Sequence, residues 1–414
     1  MSARPSCRSC GAELRHTFLD LGLQPLANSY LTSEQLERRD EPRYPLHARI
    51  CTECLLVQVE EVVPPEEIFS DYAYFSSYSD SWLDHAAGFA ELARERLELG
   101  AGSRVVEIGS NDGYLLKSFL APGIPVLGIE PAANVAQAAM AAGVPTEVEF
   151  FGRRVAEDLV SRGYAADLVV ANNVLAHVSD LRDFVAGLAL LLKPHGVLTI
   201  EVPHLLRMIE GTEFDTIYHE HFSYFSLLAA QSALARQGLR IFDVEELPTH
   251  GGSLRLWVSQ DGVADHWPES PSVAAVLEEE RATGLDRLDG YSGFAPRVSA
   301  LLDELQRFLA HAKAEDARVA AYGAAAKGNT LLNAAEVTAD QVAYVVDRNP
   351  HKQGRFLPGS HLPIFDPEHV WGDRPDFLLV LPWNLMDEIT SQMAAVREWG
   401  CRFVVPVPRF EVVT

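Results

Sequence analysis

The sequence predicts an α/β protein: a small zinc-binding N-terminal module over residues 1–70, a Rossmann-like middle domain over 71–245 and a second Rossmann-like α/β domain over 246–414. Three observations predict it. Residues 104–116, RVVEIGSNDGYLL, read as an apolar strand, a glycine turn and a helix, the first unit of a nucleotide-binding sheet. Residues 318–330, RVAAYGAAAKGNT, repeat that plan in the last third of the chain. Four of the five cysteines form two C-x-x-C pairs, Cys7/Cys10 and Cys51/Cys54, whose short knuckles offer four thiolates to one tetrahedral zinc ion. The fifth, Cys401, lies beside a strand-like run and reads as a buried structural thiol.

Composition narrows the function. An apolar fraction of 48% and a charged fraction of 22% are those of a soluble globular chain, and 414 residues suit two or three domains. The net charge of −24 argues against nucleic acid, which needs a basic face, and requires a local Lys/Arg cluster for any anionic substrate. No apolar run reaches the length of a membrane span, and MSARPSCRSC lacks the apolar core of a secretion signal. A cytoplasmic monomer with no membrane partner is expected.

The elements follow in order. The zinc module is too small to fold on its own core, so the ion should supply much of its stability. It is not notably basic, which favours a structural or lid role over nucleic-acid binding. The tyrosine-rich residues 71–79 have no period and read as a loop whose tyrosines line a pocket or pack between domains. A helix with Ala86, Phe89, Ala93 and Leu97 on one face ends at Gly100. The turn after strand 105–108 is acidic and has no Lys, unlike a phosphate loop. Its E-x-G-x-x-x-G pattern resembles the first motif of S-adenosylmethionine (SAM) methyltransferases. Gly109 and Gly113 lack a Cβ and would let a ligand approach the backbone. Strand 126–130 ends in Glu130, an acid placed to accept the ribose hydroxyls. Helices at 133–142 and 153–162 flank a third strand, 147–151. Strand 167–173 ends in Asn172 and Asn173, at the edge where open α/β sheets bind ligands. The expected cofactor residues are Glu107, Gly109, Asn111, Gly113, Glu130, Asn172 and Asn173. His177 lies just past that edge, and 196–203 is a fifth strand.

Residues 216–226, TIYHEHFSYFS, are unusual. A helix could not place His219 and His221 on one face, which excludes the H-E-x-x-H zinc site. In an extended segment Tyr218 and Glu220 would point one way and the two histidines the other. The histidines, the acid and the tyrosines form a proton-transfer cluster, since a near-neutral His oriented by an acid is a ready general base. Ser226 should cap a helix over 227–237. Strands 239–244 and 254–258 are joined through His250, Gly251 and Gly252, which suit either close backbone approach to a ligand or a tight turn. Residues 265–281 read as a connector with a short helix, before a long helix striped with Val298, Leu301, Leu302, Leu305, Phe308 and Ala312. In the second strand–turn–helix, Lys327 and the helix amides near Asn329 suit an anion. With Arg348, Lys352 and Arg355 they make the expected basic cluster, a diphosphate site. Strand 377–384 ends in Trp383, a stacking residue, and Asn384, an amide; 403–407 closes the sheet.

Taken together, the chain resembles the zinc-containing sugar C-methyltransferases of antibiotic deoxysugar pathways. The resemblance rests on the two C-x-x-C pairs, EIGSNDG, IEPAANVA, NNVLAHV, EVPH, YHEHFSYFS, THGGSLR and YGAAAKGNTLLN, in order over nearly the whole length. It implies SAM and structural zinc as cofactors and a dTDP-linked 4-keto-6-deoxysugar as substrate, lying between the middle and C-terminal domains. The target is a carbon next to the ketone, most often carbon 3, with or without a 3-amino group. His221 would be the base that makes an enolate. Glu220 would orient the cluster. Tyr218, His177 and Tyr72 (taken in preference to Tyr74) would position the sugar or donate to the ketone oxygen. Other readings are methylation at carbon 5, an O- or N-methyltransferase, an NAD-linked enzyme, or a non-catalytic zinc-ribbon protein. The intact YHEH cluster and the absence of G-x-G-x-x-G argue against the last two.

Overall fold

The computed structural model describes residues 5–69, 76–78 and 80–413. Its N-terminal strands are β1 (His16–Gln24), β2 (Tyr44–Ile50) and β3 (Val57–Val59). The middle of the chain adds β4 (Val105–Ile108), β5 (Val126–Ile129), β6 (Thr146–Glu147), β7 (Ala166–Asn172), β8 (Leu192–Pro203), β9 (Ser223–Tyr224), β10 (Leu239–Leu247) and β11 (Ser253–Gln260). The C-terminal part adds β12 (Val319–Tyr322), β13 (Val345–Val346), β14 (Ile364–Phe365), β15 (Phe377–Val380), β16 (Arg402–Val405) and β17 (Glu411–Val413). No helix of the described residues is long and apolar enough to cross a membrane.

The middle sheet runs β10-β11-β8-β7-β4-β5-β6. β4 pairs in parallel with β5 on one side and β7 on the other, so the strand order reverses at β4 and opens a crevice at its C-terminal end. The C-terminal sheet, β14-β13-β12-β15-β16-β17, reverses in the same way at β12. The expected pair of Rossmann-like domains is therefore present. Some limits differ. β11 pairs antiparallel with β8, so the hairpin that completes the middle sheet runs past the expected boundary at 245/246. The third strand is two residues long rather than spanning 147–151, and Phe150 is exposed. The outermost C-terminal strand is the antiparallel β17, not 403–407.

The N-terminal module does not stand alone. β3 pairs antiparallel with β9, so a four-stranded sheet β1-β2-β3-β9 joins the module to the unusual histidine segment. Phe18 of β1 stacks on Phe294 at 4.6 Å, at the start of the long helix Phe294–Ala314. One apolar core runs through Leu46 and Ile50, through Phe214 and Phe222, and into Leu305 and Leu331. Burial shared with both other domains therefore stabilises the module alongside the ion, a contribution its short sequence did not reveal.

Candidate active site

The edge of β4, β5 and β7 is built from acids and amides. Gly109 and Gly113 have φ of +68° and +76°, which glycine adopts without strain. A Cβ on Gly113 would lie 2.8 Å from Val144, and one on Gly109 3.0 Å from Val174. Their missing side chains thus make room for protein packing rather than for a ligand. Glu130 accepts hydrogen bonds from the amides of Asn111 and Ala132, both at 2.9 Å. Glu107 is buried, and neither of its carboxylate oxygens has a partner among the described residues. Burial, with Glu130 and Asp112 nearby, pushes its pKa well above the carboxylate range. Asn172 Oδ1 and both amide atoms of Asn173 likewise have no partner. Such orphaned polar groups call for a ligand. An acidic, hydroxyl-seeking edge fits SAM, with its sulfonium and ribose. Residues 76–78 close over this edge: Ser76 N donates to Asn111 Oδ1 at 2.8 Å and Ser77 N to Asp112 at 3.1 Å.

The histidine segment is a tight turn, because His221 N donates to Tyr218 O at 3.0 Å. The turn overrides the alternation expected of an extended segment and brings Tyr218 and His221 together. His219 points elsewhere, against Tyr44 at 6.1 Å. His221 Nδ1 lies 2.8 Å from the Thr216 carbonyl, an acceptor, so Nδ1 carries the proton and Nε2 the lone pair. Nε2 is 2.7 Å from the Tyr218 hydroxyl. His177 packs edge-on to His221 at 4.7 Å, its Nδ1 2.8 Å from the Glu220 carbonyl. Desolvation lowers the pKa of His177 to about 4. Desolvation, then the neighbouring His177, holds His221 well below the usual histidine range, so both rings are neutral at pH 7. Tyr72 and Tyr74 lie outside the described residues.

Glu220 does not orient His221 through its carboxylate. That group is buried and accepts from Asn28 Nδ2 at 2.7 Å; only its backbone carbonyl serves the histidines. Burial pushes its pKa up to about 7, against the Asn28 bond, which lowers it. Asn28 comes from the loop between the cysteine pairs, and no local pattern marked it as part of this site. Replacing it with Ala removes the donor that favours the charged form, so Glu220 should titrate higher still. In a pH–rate profile of Asn28→Ala, the limb near pH 7 should move to higher pH. An unmoved limb would dissociate it from Glu220.

A second wall comes from the β10–β11 connection and from the C-terminal domain. His250 (φ +57°) and Gly251 (φ +94°) lie in a left-handed turn, and a Cβ on Gly251 would run into Glu213 and Trp383. This favours the tight-turn reading of the two glycines. Desolvation, then Lys327, lowers His250 to about 4. Trp383 is buried and donates from Nε1 to Asp215 at 2.8 Å. Lys327 Nζ sits 4.5 Å from the Trp383 ring centre. Glu213 and Asp215, absent from the expected site, sit just ahead of the histidine segment in GTEFDT. Glu201 on β8 is also new: it is buried, 2.9 Å from His85 and 3.2 Å from Arg255, and it accepts from Thr249 at 3.1 Å. It thereby anchors the turn that carries His250.

The expected diphosphate cluster is not gathered. Arg348 is exposed and 3.6 Å from Glu388. Lys352 donates to the Ala324 carbonyl at 2.8 Å and lies 3.5 Å from Asp347. Arg355 and Asn384 are exposed, and Asn329 is buried with its Oδ1 3.2 Å from Asn333. Lys327 alone of the set faces the histidines, because its helix, Ala326–Ala334, packs on the turn at Phe214–Thr216.

The four cysteine sulfurs lie within 4.8 Å of one another, and the pairs Cys7/Cys54 and Cys10/Cys51 are 3.5 and 3.4 Å apart. Tetrahedral Zn–S bonds of about 2.3 Å place sulfurs roughly 3.8 Å apart, so the set fits zinc. Both knuckles fold alike: Gly11 N donates to Cys7 O and Leu55 N to Cys51 O, each donor having positive φ.

Comparison with known proteins agrees with this anatomy. Residues 7–69 match a zinc binding domain family, 82–244 a methyltransferase domain family and 248–408 the C-methyltransferase C-terminal domain family. The chain is 36% identical to C-methyltransferase NovU of Streptomyces niveus, over 99% of this chain and 96% of that one. It is 28% identical to a ubiquinone biosynthesis O-methyltransferase of Rhodopseudomonas palustris, over 34% of this chain and 63% of that one. Magnesium protoporphyrin IX methyltransferase of Synechocystis PCC 6803 superposes over 43% of this chain and 83% of that one at 16% identity, with a TM-score of 0.35, too low to carry an argument. By its full-length match, its three domain matches and its four-sulfur cluster, the chain belongs to the zinc-containing, SAM-dependent C-methyltransferase family that its motifs resemble.

Proposed function

We propose that the protein C-methylates a dTDP-linked 4-keto-6-deoxysugar at carbon 3, next to the ketone, in antibiotic deoxysugar biosynthesis. The observation that carries this is the chain Thr216 O–His221–Tyr218. A methyl acceptor that is an oxygen or nitrogen already has a lone pair; a carbon acceptor needs a base to make one. Here the Thr216 carbonyl fixes the imidazole tautomer, so Nε2 is the basic atom, and neutrality at pH 7 keeps its lone pair available. The proton leaves the ring carbon for the Tyr218 oxygen as the phenolic proton moves to Nε2. The electron pair is left on the sugar as an enolate. His177 packs on His221, and Gly251, in the turn that carries His250, packs on Trp383. Glu107, Asn111, Glu130, Asn172 and Asn173 hold SAM, which supplies the electrophilic methyl group. The Cys7, Cys10, Cys51 and Cys54 thiolates hold zinc in a structural role.

The test is incubation with a dTDP-4-keto-6-deoxysugar in deuterated water, with and without SAM, read by NMR and mass. Deuterium at the carbon next to the ketone, and a methyl group there when SAM is added, is the expected result and names the carbon. Transfer to an oxygen or nitrogen, or no exchange, would sink the enolate reading.

A further inference from the structure

The ammonium of Lys327 is shut off from solvent, yet it has no hydrogen-bond partner among the described residues. No carboxylate of the described residues comes within ion-pair distance of it, although Asp215 and Glu213 raise its pKa against the desolvation that lowers it. An ammonium buried in that state is costly unless something completes its shell. Two routes fasten it to the catalytic turn. Trp383, beneath its Nζ at 4.5 Å, donates to Asp215, the residue before the Thr216 whose carbonyl holds His221. Ala324, in the same turn as Lys327, accepts from the Tyr30 hydroxyl at 2.7 Å, and that oxygen lies 3.2 Å from Oδ1 of Asn28, the partner of Glu220. The charge of Lys327 also reaches His221 and His250, lowering both. The missing partner therefore belongs beside the base.

Its charge does not favour the diphosphate. One ammonium stands with two acids, Asp215 and a Glu213 whose pKa burial pushes up to about 8, so the ammonium offset by Asp215 leaves no net positive charge to hold a dianion. A neutral ketone that gains charge only during reaction suits the site better. We propose that Lys327 is a catalytic residue, whose ammonium stabilises the oxygen of the sugar enolate as its carbon loses the proton. This rests on the enolate reading. The proton goes to the Tyr218–His221 pair, the C–H electron pair becomes the C=C bond, and the C=O π pair moves onto the oxygen facing Nζ. The C-terminal domain then takes part in the chemistry.

The test uses full-length Lys327→Met, with Lys327→Gln as a second variant should Met fail to fold, judged by thermal melting and SAM binding. Deuterium uptake into saturating dTDP-4-keto-6-deoxysugar, without SAM, reads enolate formation alone; calorimetry with dTDP reads the nucleotide. Loss of a preorganised donor to an oxyanion should slow exchange about 10²–10³-fold. The affinity for dTDP should stay within about twofold, the pattern of an interaction made only in the transition state. Exchange at the wild-type rate, with dTDP bound about tenfold or more weakly, would make Lys327 a diphosphate anchor and overturn the proposal. No exchange in the wild-type protein would overturn the enolate reading and this role with it. Wild-type exchange with an unimpaired variant would overturn the role of Lys327 alone.

Discussion

Replacement of His221 by Asn should lower turnover about 10²–10⁴-fold, the share a positioned general base contributes, and leave SAM affinity nearly unchanged. Asn is the informative substitution because its amide can still donate to the Thr216 carbonyl, as Nδ1 does at 2.8 Å. What it lacks is the basic Nε2 that meets the Tyr218 hydroxyl at 2.7 Å. Deuterium uptake by the sugar should fall in step with methyl transfer, because both pass through the same proton removal. Tyr218→Phe should cost a similar factor. The double variant should be little worse than either single one, as expected of groups acting as one unit. A fully active His221→Asn protein would remove His221 from the role of base, and additive losses would separate it from Tyr218.

Removing zinc should abolish turnover while leaving much of the chain folded. In isolated zinc peptides the ion supplies about 10–16 kcal/mol, and the peptide unfolds without it. Here Phe18, Leu46 and Ile50 are buried in a core shared with Phe294 and Leu305, so part of the module should stay docked. The loss should fall on what the knuckles position. The Cys51–Cys54 knuckle turns β2 into β3, and β3 pairs with Ser223 and Tyr224, two and three residues beyond His221. Metal analysis should find about one zinc per chain, as four thiolates imply. Chelation should bring activity down with only partial loss of helical circular dichroism, and added zinc should restore it. Full activity in metal-free protein would reduce the module to a passive appendage.

Much of this was legible along the chain. The cysteine spacing and the strand–glycine–helix units are local signals, and the structure bears them out in the cluster and the two reversing sheets. Ser226 caps its helix as its position implied, accepting from Ala229 N at 3.1 Å. Gly109 and Gly113 were visible as turn residues, although what fills their missing Cβ positions, Val174 and Val144, was not. The sequence by itself determined the kinds of domain, the zinc ligands and the one short segment densest in titratable side chains.

Only the tertiary structure decided how those groups face one another. Tyr218 and His221 meet because the backbone turns between them, which a two-residue alternation cannot express. Asn28 reaches Glu220 across 192 residues, and Trp383 reaches Asp215 across 168. Lys327 parts from Arg348 and Lys352 because its helix docks on the turn at Phe214–Thr216, while they follow the end of β13. Such contacts are set by which apolar faces bury each other, a property of three packed domains that no short stretch of the chain encodes.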